Sequence, residues 1–221
     1  MGWDAALATV MTLSAGQIPV VVRVSSHEPA EMMKALDAGA DGVVVPHVEN
    51  AQEAAHAADA CRYPPQGHRS WGPTRASLLS SLTTNEVNDQ IACIAMVESV
   101  EAIRNATEIA ATRNINGVLV GSNDLCLDMA TTERSRNAVR RSSEFRDLLA
   151  QVVTACREAG IPAAAPAGSF DEAEMLVELG YKLIVLPSDA ALLRAAVQRE
   201  VGFHRASQRS TAAFPPSENS Y

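Results

Sequence analysis

At 221 residues, with 47% hydrophobic content and a net charge of -8, the chain has material for a single core and no basic surplus with which to hold a polyanion. Nucleic acid and an anionic membrane surface are therefore excluded as expected partners. No apolar run reaches the roughly 18 residues a membrane helix needs. The opening MGWDAALATV lacks the basic flank and long apolar centre of a secretion signal, so a cytoplasmic chain is expected.

In chain order, short β-branched or apolar runs predict strands over Val20 to Val24, Gly42 to Val48, Ile91 to Val97, Gly117 to Val120, Ile161 to Ala165 and Leu183 to Leu186. Segments of helical periodicity alternate with them: Glu28 to Leu36, Asn50 to Ala60, Val100 to Ala111, Glu144 to Glu158 and Phe170 to Leu179. Strict alternation predicts an α/β fold with about six parallel strands. Three helices close on a similar phrase before a strand, at Gly39, Gly160 and Gly180, where glycine supplies the left-handed residue that ends a helix. The strands are continuously apolar, as a sheet buried on both faces requires. Both a barrel and an open doubly wound sheet satisfy this pattern. No G-x-G-x-x-G fingerprint follows a strand, which removes the main support for a dinucleotide fold. The four cysteines form no C-x-x-C pair and read as reduced, buried thiols. One domain is expected over residues 1–206, with a polar, proline-containing, disordered tail over 207–221.

In parallel α/β folds the reacting groups gather where strands end. Here those positions carry Ser25-Ser26-His27, Pro46-His47, Glu98-Ser99, Ser122-Asn123-Asp124 and Pro187-Ser188-Asp189. Glu98 and Asp124 stand one strand–helix unit apart, so adjacent strands bring both carboxylates to one rim. Two converging carboxylates suit a hard divalent cation such as Mg²⁺ or Mn²⁺, which completes its shell with water and substrate oxygens. The competing reading has each acid capping a helix start. Arg69 sits in a stiff loop, Tyr63-Pro64-Pro65-Gln66-Gly67-His68-Arg69-Ser70-Trp71-Gly72-Pro73, and its guanidinium suits a carboxylate or enolate oxygen. A Schiff-base aldolase needs a lysine in the site, yet Lys34 falls within a helix and Lys182 precedes a strand. His27, His47 and His68 are the candidates for a general base, with a structural or solvated histidine as the competing reading of each.

Four ordered stretches, VVVRVSSHEPAEMMKALDAGADGVVVPHVEN, RYPPQGHRSWGPTRA, IAMVESVEAI and NGVLVGSNDLCLDM, resemble the HpcH/HpaI aldolase and citrate lyase β-subunit superfamily, from about Val20 to Arg199. The resemblance implies a TIM-type (β/α) barrel acting as a class II aldolase that makes or breaks 2-oxo-4-hydroxy acids through a pyruvate enolate. It assigns the metal, Mg²⁺ or Mn²⁺ with Co²⁺ as a further candidate, to Glu98 and Asp124. It assigns Arg69 to the pyruvate oxyanion and carboxylate, and the amides around Ser122, Asn123 and Asp124 to the substrate carboxylate. It also implies 2-oxo acid and aldehyde partners and a homo-oligomer, trimer or hexamer, with Ala190 to Val201 as an exchanged helix. Ser122 replaces the usual proline, and Met96 stands where many members place a substrate-contacting glutamine. The family's first two strands, the second ending in an I-D-x-E-H motif, have no counterpart before Val20, so an N-terminally incomplete barrel is expected. The alternatives are a CoA-ester lyase of the citrate lyase β type and a barrel whose catalysis is impaired.

Overall fold

A computed structural model describes residues 2–72, 74–79 and 81–211. Helix α1 (Trp3–Ala15) leads into β1 (Val21–Arg23), α2 (Pro29–Asp37), β2 (Gly42–Val45) and α3 (Ala51–Ala60). The long connection that follows carries α4 (Arg75–Leu79) and α5 (Thr84–Gln90) before β3 (Ala92–Val97). Next come α6 (Val100–Arg104), α7 (Ala106–Ala110), β4 (Gly117–Val120), α8 (Ser122–Asp128), α9 (Arg136–Arg140) and α10 (Ser143–Ala159). The chain ends with β5 (Ala163–Pro166), α11 (Phe170–Leu179), β6 (Leu183–Val185) and α12 (Asp189–Thr211).

All six strands are parallel and lie in chain order, each hydrogen-bonded to its sequence neighbours, so the sheet curls into a half-barrel. The predicted strands are therefore all present, within a few residues of their expected ends. Polar residues shortly after several strands begin the next helix by capping it: Asn50 accepts from Glu53 N, Ser99 from Ala102 N and Ser169 from Glu172 N. Each such cap is worth about 1 kcal/mol. At the other ends Gly39, Gly160 and Gly180 adopt φ of 99°, 71° and 107°, as the repeated phrase predicted. The helix expected over Val100 to Ala111 is interrupted at Asn105. Its side-chain amide donates to Glu49 O at 2.8 Å, a tertiary bond that fixes the break between α6 and α7.

Alternation along each strand divides the sheet into two faces. Val43, Val45, Cys93, Ala95, Val97, Val118, Val120, Ala163 and Ala165 point to the helices, where they meet Met32 and Leu36 of α2, Ile109 of α7 and Leu149 and Val152 of α10. Burying each large aliphatic side chain there contributes about 1.5–3 kcal/mol. The concave face carries Val44, Ile94, Leu119 and Ala164, with Met96 against them. Those four are at most 8% exposed, whereas Val21 of β1 and Leu183 of β6 are 45% and 46% exposed. The curl thus shields the middle of the concave face and leaves its edges open. All four cysteines are buried free thiols. Of the tail expected from Ser207, residues 207–211 continue α12, and 212–221 lie outside the described residues. No described helix is long and apolar enough to cross a membrane.

Candidate active site

The carboxyl ends of β2, β3 and β4 meet at Glu98, which directly follows β3 and is 4% exposed. Its Oε1 accepts the backbone N–H of His47 at 2.8 Å and lies 3.1 Å from His47 Nδ1. His47 follows β2 with φ of 52°, a left-handed conformation uncommon for any residue with a Cβ. The imidazole stays mostly in solvent, so the part of His47 engaged with the buried carboxylate is chiefly its amide. Asp124, in the first turn of α8, is a near neighbour whose charge acts on Glu98.

Burial lifts the Glu98 carboxyl above the ordinary carboxylate range, the His47 amide opposes that rise, and the neighbouring Asp124 adds to it. A second feature keeps the pair together. A Cβ built on Gly121 would stand 2.5 Å from both Cβ and Oε2 of Glu98 and 2.8 Å from Met96 Cε. Glycine at this position is therefore what lets Glu98 lie against the turn that carries Asp124. That turn begins α8 abruptly, and the N–H groups of Ser122, Asn123 and Asp124 lie in its first turn, where no carbonyl four residues back is available.

Arg23, which the sequence reading did not single out, is the charged residue among the strand residues. It pairs in register with Val44, so its side chain projects from the concave face at the carboxyl end of β1, and it is exposed. Two strand spacings, about 10 Å, separate β1 from β3. His27, just beyond, donates from Nε2 to Pro46 O at 2.5 Å and so belongs to the same rim.

Arg69 stands elsewhere. Its guanidinium is buried, donates to Asp37 Oδ1 at 2.8 Å and stacks 4.5 Å from the Tyr63 ring centroid. With Leu36, Tyr63, Arg75 and Ile91 it lines a cavity of about 550 Å³ beside the residues that precede β2 and β3. That is the amino end of the sheet. The structure therefore brings Glu98, Asp124 and the Ser122–Asp124 turn together but does not bring Arg69 to them. The cause is topological, because the loop holding Arg69 runs from a helix into β3 and so opens on the opposite end from the strand termini. His68 is with it, 2.6 Å from Asp59. Lys34 lies over the Trp3 ring at 4.7 Å, so it too is remote from the rim.

Among the described residues no group of three or more His, Cys, Asp and Glu encloses a metal position. The acid pair still fits one. A buried carboxyl beside a second carboxyl, contacted by the amide and ring of His47, leaves oxygens for a cation, and a hard cation holds as few as one or two protein carboxylates.

A parallel (β/α) half-barrel with paired acids on its carboxyl rim has the layout of a barrel enzyme. The sequence profile of the HpcH/HpaI aldolase/citrate lyase family matches residues 3–196, and the chain belongs to that family, one of lyases. A hydroxypyruvate/pyruvate aldolase of Rhizorhabdus wittichii is 31% identical over 198 residues, covering 89% of this chain and 78% of the relative. A 4-hydroxy-2-oxo-heptane-1,7-dioate aldolase of Shigella sonnei is 31% identical over 182 residues, covering 80% and 68%. The crystal structure of a family protein from Burkholderia cenocepacia superposes with a TM-score of 0.81 at 29% identity, covering 90% and 79%.

Proposed function

We propose that this chain is a divalent-metal-dependent aldolase acting on 2-oxo-4-hydroxy acids. The observation that carries the reading is the Glu98–Asp124 acid pair, two neighbouring carboxyls just beyond the ends of β3 and β4. These two side chains would hold Mg²⁺ or Mn²⁺, and Co²⁺ is admitted by the same oxygen donors. A bound metal supplies Lewis-acid stabilisation of an enolate oxygen.

The protein's own groups do the rest. The first-turn amides of Ser122, Asn123 and Asp124 bind the carboxylate of the 2-oxo acid, using N–H groups that the helix leaves free. Arg23 contributes positive charge from the concave face toward the oxyanion, a role that the sequence suggested for Arg69. The reaction breaks the C3–C4 bond. The C4 hydroxyl proton leaves to a base, C4 becomes the aldehyde carbonyl, and the electron pair passes to C3, giving an enolate that is reprotonated as pyruvate. His27 and His47 are the histidines placed on this rim. The remote position of Lys34, and of Lys182 ahead of β6, supports an enolate route over a Schiff base.

The test is release of pyruvate from a 2-oxo-4-hydroxy acid by the full chain with Mg²⁺, with Mn²⁺ and with chelator. Equal rates in chelator would sink the reading. Binding of Mn²⁺ without turnover would favour the impaired-barrel alternative, which the open edges at Val21 and Leu183 support. Helix α12 exposes Leu192, Leu193, Val197 and Val201, the kind of surface that a homo-oligomer covers.

A further inference from the structure

We infer that Arg140 is a positioning residue that braces the Asn123–Asp124 turn through Asn123, using Glu172 as its anchor on the neighbouring strand–helix unit. The inference rests on the acid-pair reading for its functional consequence, but its geometry stands independently.

Helix α8 lacks what the neighbouring helices possess. Helices α3, α6, α10 and α11 start on Asn50, Ser99, Ser142 and Ser169, each of which accepts a backbone N–H from its own first turn. The N-cap of α8 is Gly121, which has no side chain to offer. A capping residue is sterically barred there because its Cβ would collide with Glu98. The position that makes room for one acid thus strips the helix start that carries the other.

Arg140, at the end of α9, supplies the missing restraint from outside. Its Nη1 donates to Asn123 Oδ1 at 3.1 Å. Its Nε and Nη2 both reach Glu172 Oε1, at 2.9 Å and 2.8 Å. The other oxygen of Glu172 accepts Gly168 N at 2.7 Å, and Ser169 Oγ accepts Glu172 N. One connected path therefore runs from the β5–α11 turn through Glu172 and Arg140 to the residue next to Asp124. Val139, fully buried beside Arg140, keeps the short α9 seated on the core. The far end of α8 is tied separately, where Asp128 accepts Val100 N at 2.8 Å. A planar guanidinium that spans two acceptors in fixed directions does this in a way an ammonium cannot.

The test uses the full chain and three variants, Arg140→Met, Arg140→Lys and Arg134→Met. Arg134 pairs with Glu144 on the same excursion and controls for general loosening there. Hydrogen exchange of the Gly121 and Leu125 amides, which donate to Val97 O and Gly121 O, should accelerate on the order of tenfold in Arg140→Met, by less in Arg140→Lys, and not in Arg134→Met. Unchanged exchange in Arg140→Met, or equal acceleration in Arg134→Met, would overturn the inference. Titration with Mn²⁺ then separates it from the functional reading. Arg140→Met should bind Mn²⁺ about 10- to 100-fold more weakly, the usual effect of removing a partner behind the ligands. If Glu98→Gln leaves Mn²⁺ binding intact, the metal reading fails while the exchange result still decides the brace. If Glu98→Gln abolishes binding and Arg140→Met does not weaken it, the brace has no bearing on the site and the inference is wrong.

Discussion

Replacing Gly121 with alanine tests the core of the site with a single carbon atom. The added Cβ would meet Glu98 Cβ and Oε2 at 2.5 Å and Met96 Cε at 2.8 Å, all inside the distance that carbon atoms tolerate. Met96 can swing its terminal methyl aside. Glu98 cannot move its Cβ without moving β3, and its carboxyl is tied to His47 N. Relief must come from displacing Glu98 or the start of α8, and either change separates Glu98 from Asp124. Overpacking of this kind costs about 1–3 kcal/mol, and each kcal/mol lowers Tm by about 2–4 °C in a chain of this size. Gly202→Ala, in α12 where a Cβ meets nothing within 4 Å, serves as the control and should not destabilise the fold. The assays are thermal melting in chelator, Mn²⁺ titration and pyruvate release. Gly121→Ala should lose most metal affinity and turnover while remaining folded at room temperature. Wild-type affinity and rate in that variant would refute the argument that the two acids must lie together.

Three further outcomes are expected. Burial holds the Glu98 carboxyl above its ordinary value, so the folded protein in chelator keeps that proton to higher pH than the unfolded chain does. The resulting stability is complete below the unfolded value and is lost as pH rises through the folded one; Glu98→Gln should remove this decline, and an unchanged pH profile of Tm would contradict it. Arg69→Met breaks the bond to Asp37 and the stack on Tyr63, costing about 1.5–3 kcal/mol, yet should leave Mn²⁺ affinity of the folded protein unchanged, as titration would reveal. Arg62→Met removes the donor held 2.7 Å from Ile91 O, while Asn116 Oδ1 keeps its bond from Cys93 N, and should lower stability by about 1–3 kcal/mol by denaturant titration.

The sheet was readable in the sequence because the strands are largely apolar runs closed by polar residues, and after β2, β3 and β5 those residues also cap the next helix. The closing glycines were equally plain, since φ above zero leaves few alternatives. The acid pair followed from the same rule of strand ends. What escaped were features set by contacts between distant segments. The break at Asn105 depends on a carbonyl at Glu49, and the short helices between α3 and β3 carry no long periodicity. Arg69 was drawn to the site by the stiffness of its loop, although a loop that enters a strand opens on the amino end of the sheet. The better signal was Arg23, a charge within an otherwise apolar strand. Gly121 announced nothing, because its value lies in the atom it lacks.

Because the six strands lie side by side in chain order, the molecule behaves as a row of adjoining units in which each leans only on the next. Such a row frays from its ends, and β1 and β6 are the ends. Glu98 and Asp124 hang from the middle pair, β3 and β4, so partial openings that reach the outer strands should leave the acids in register. Amide protection should therefore rise inward from both edges, and the reacting centre should be the last part of the sheet to come apart.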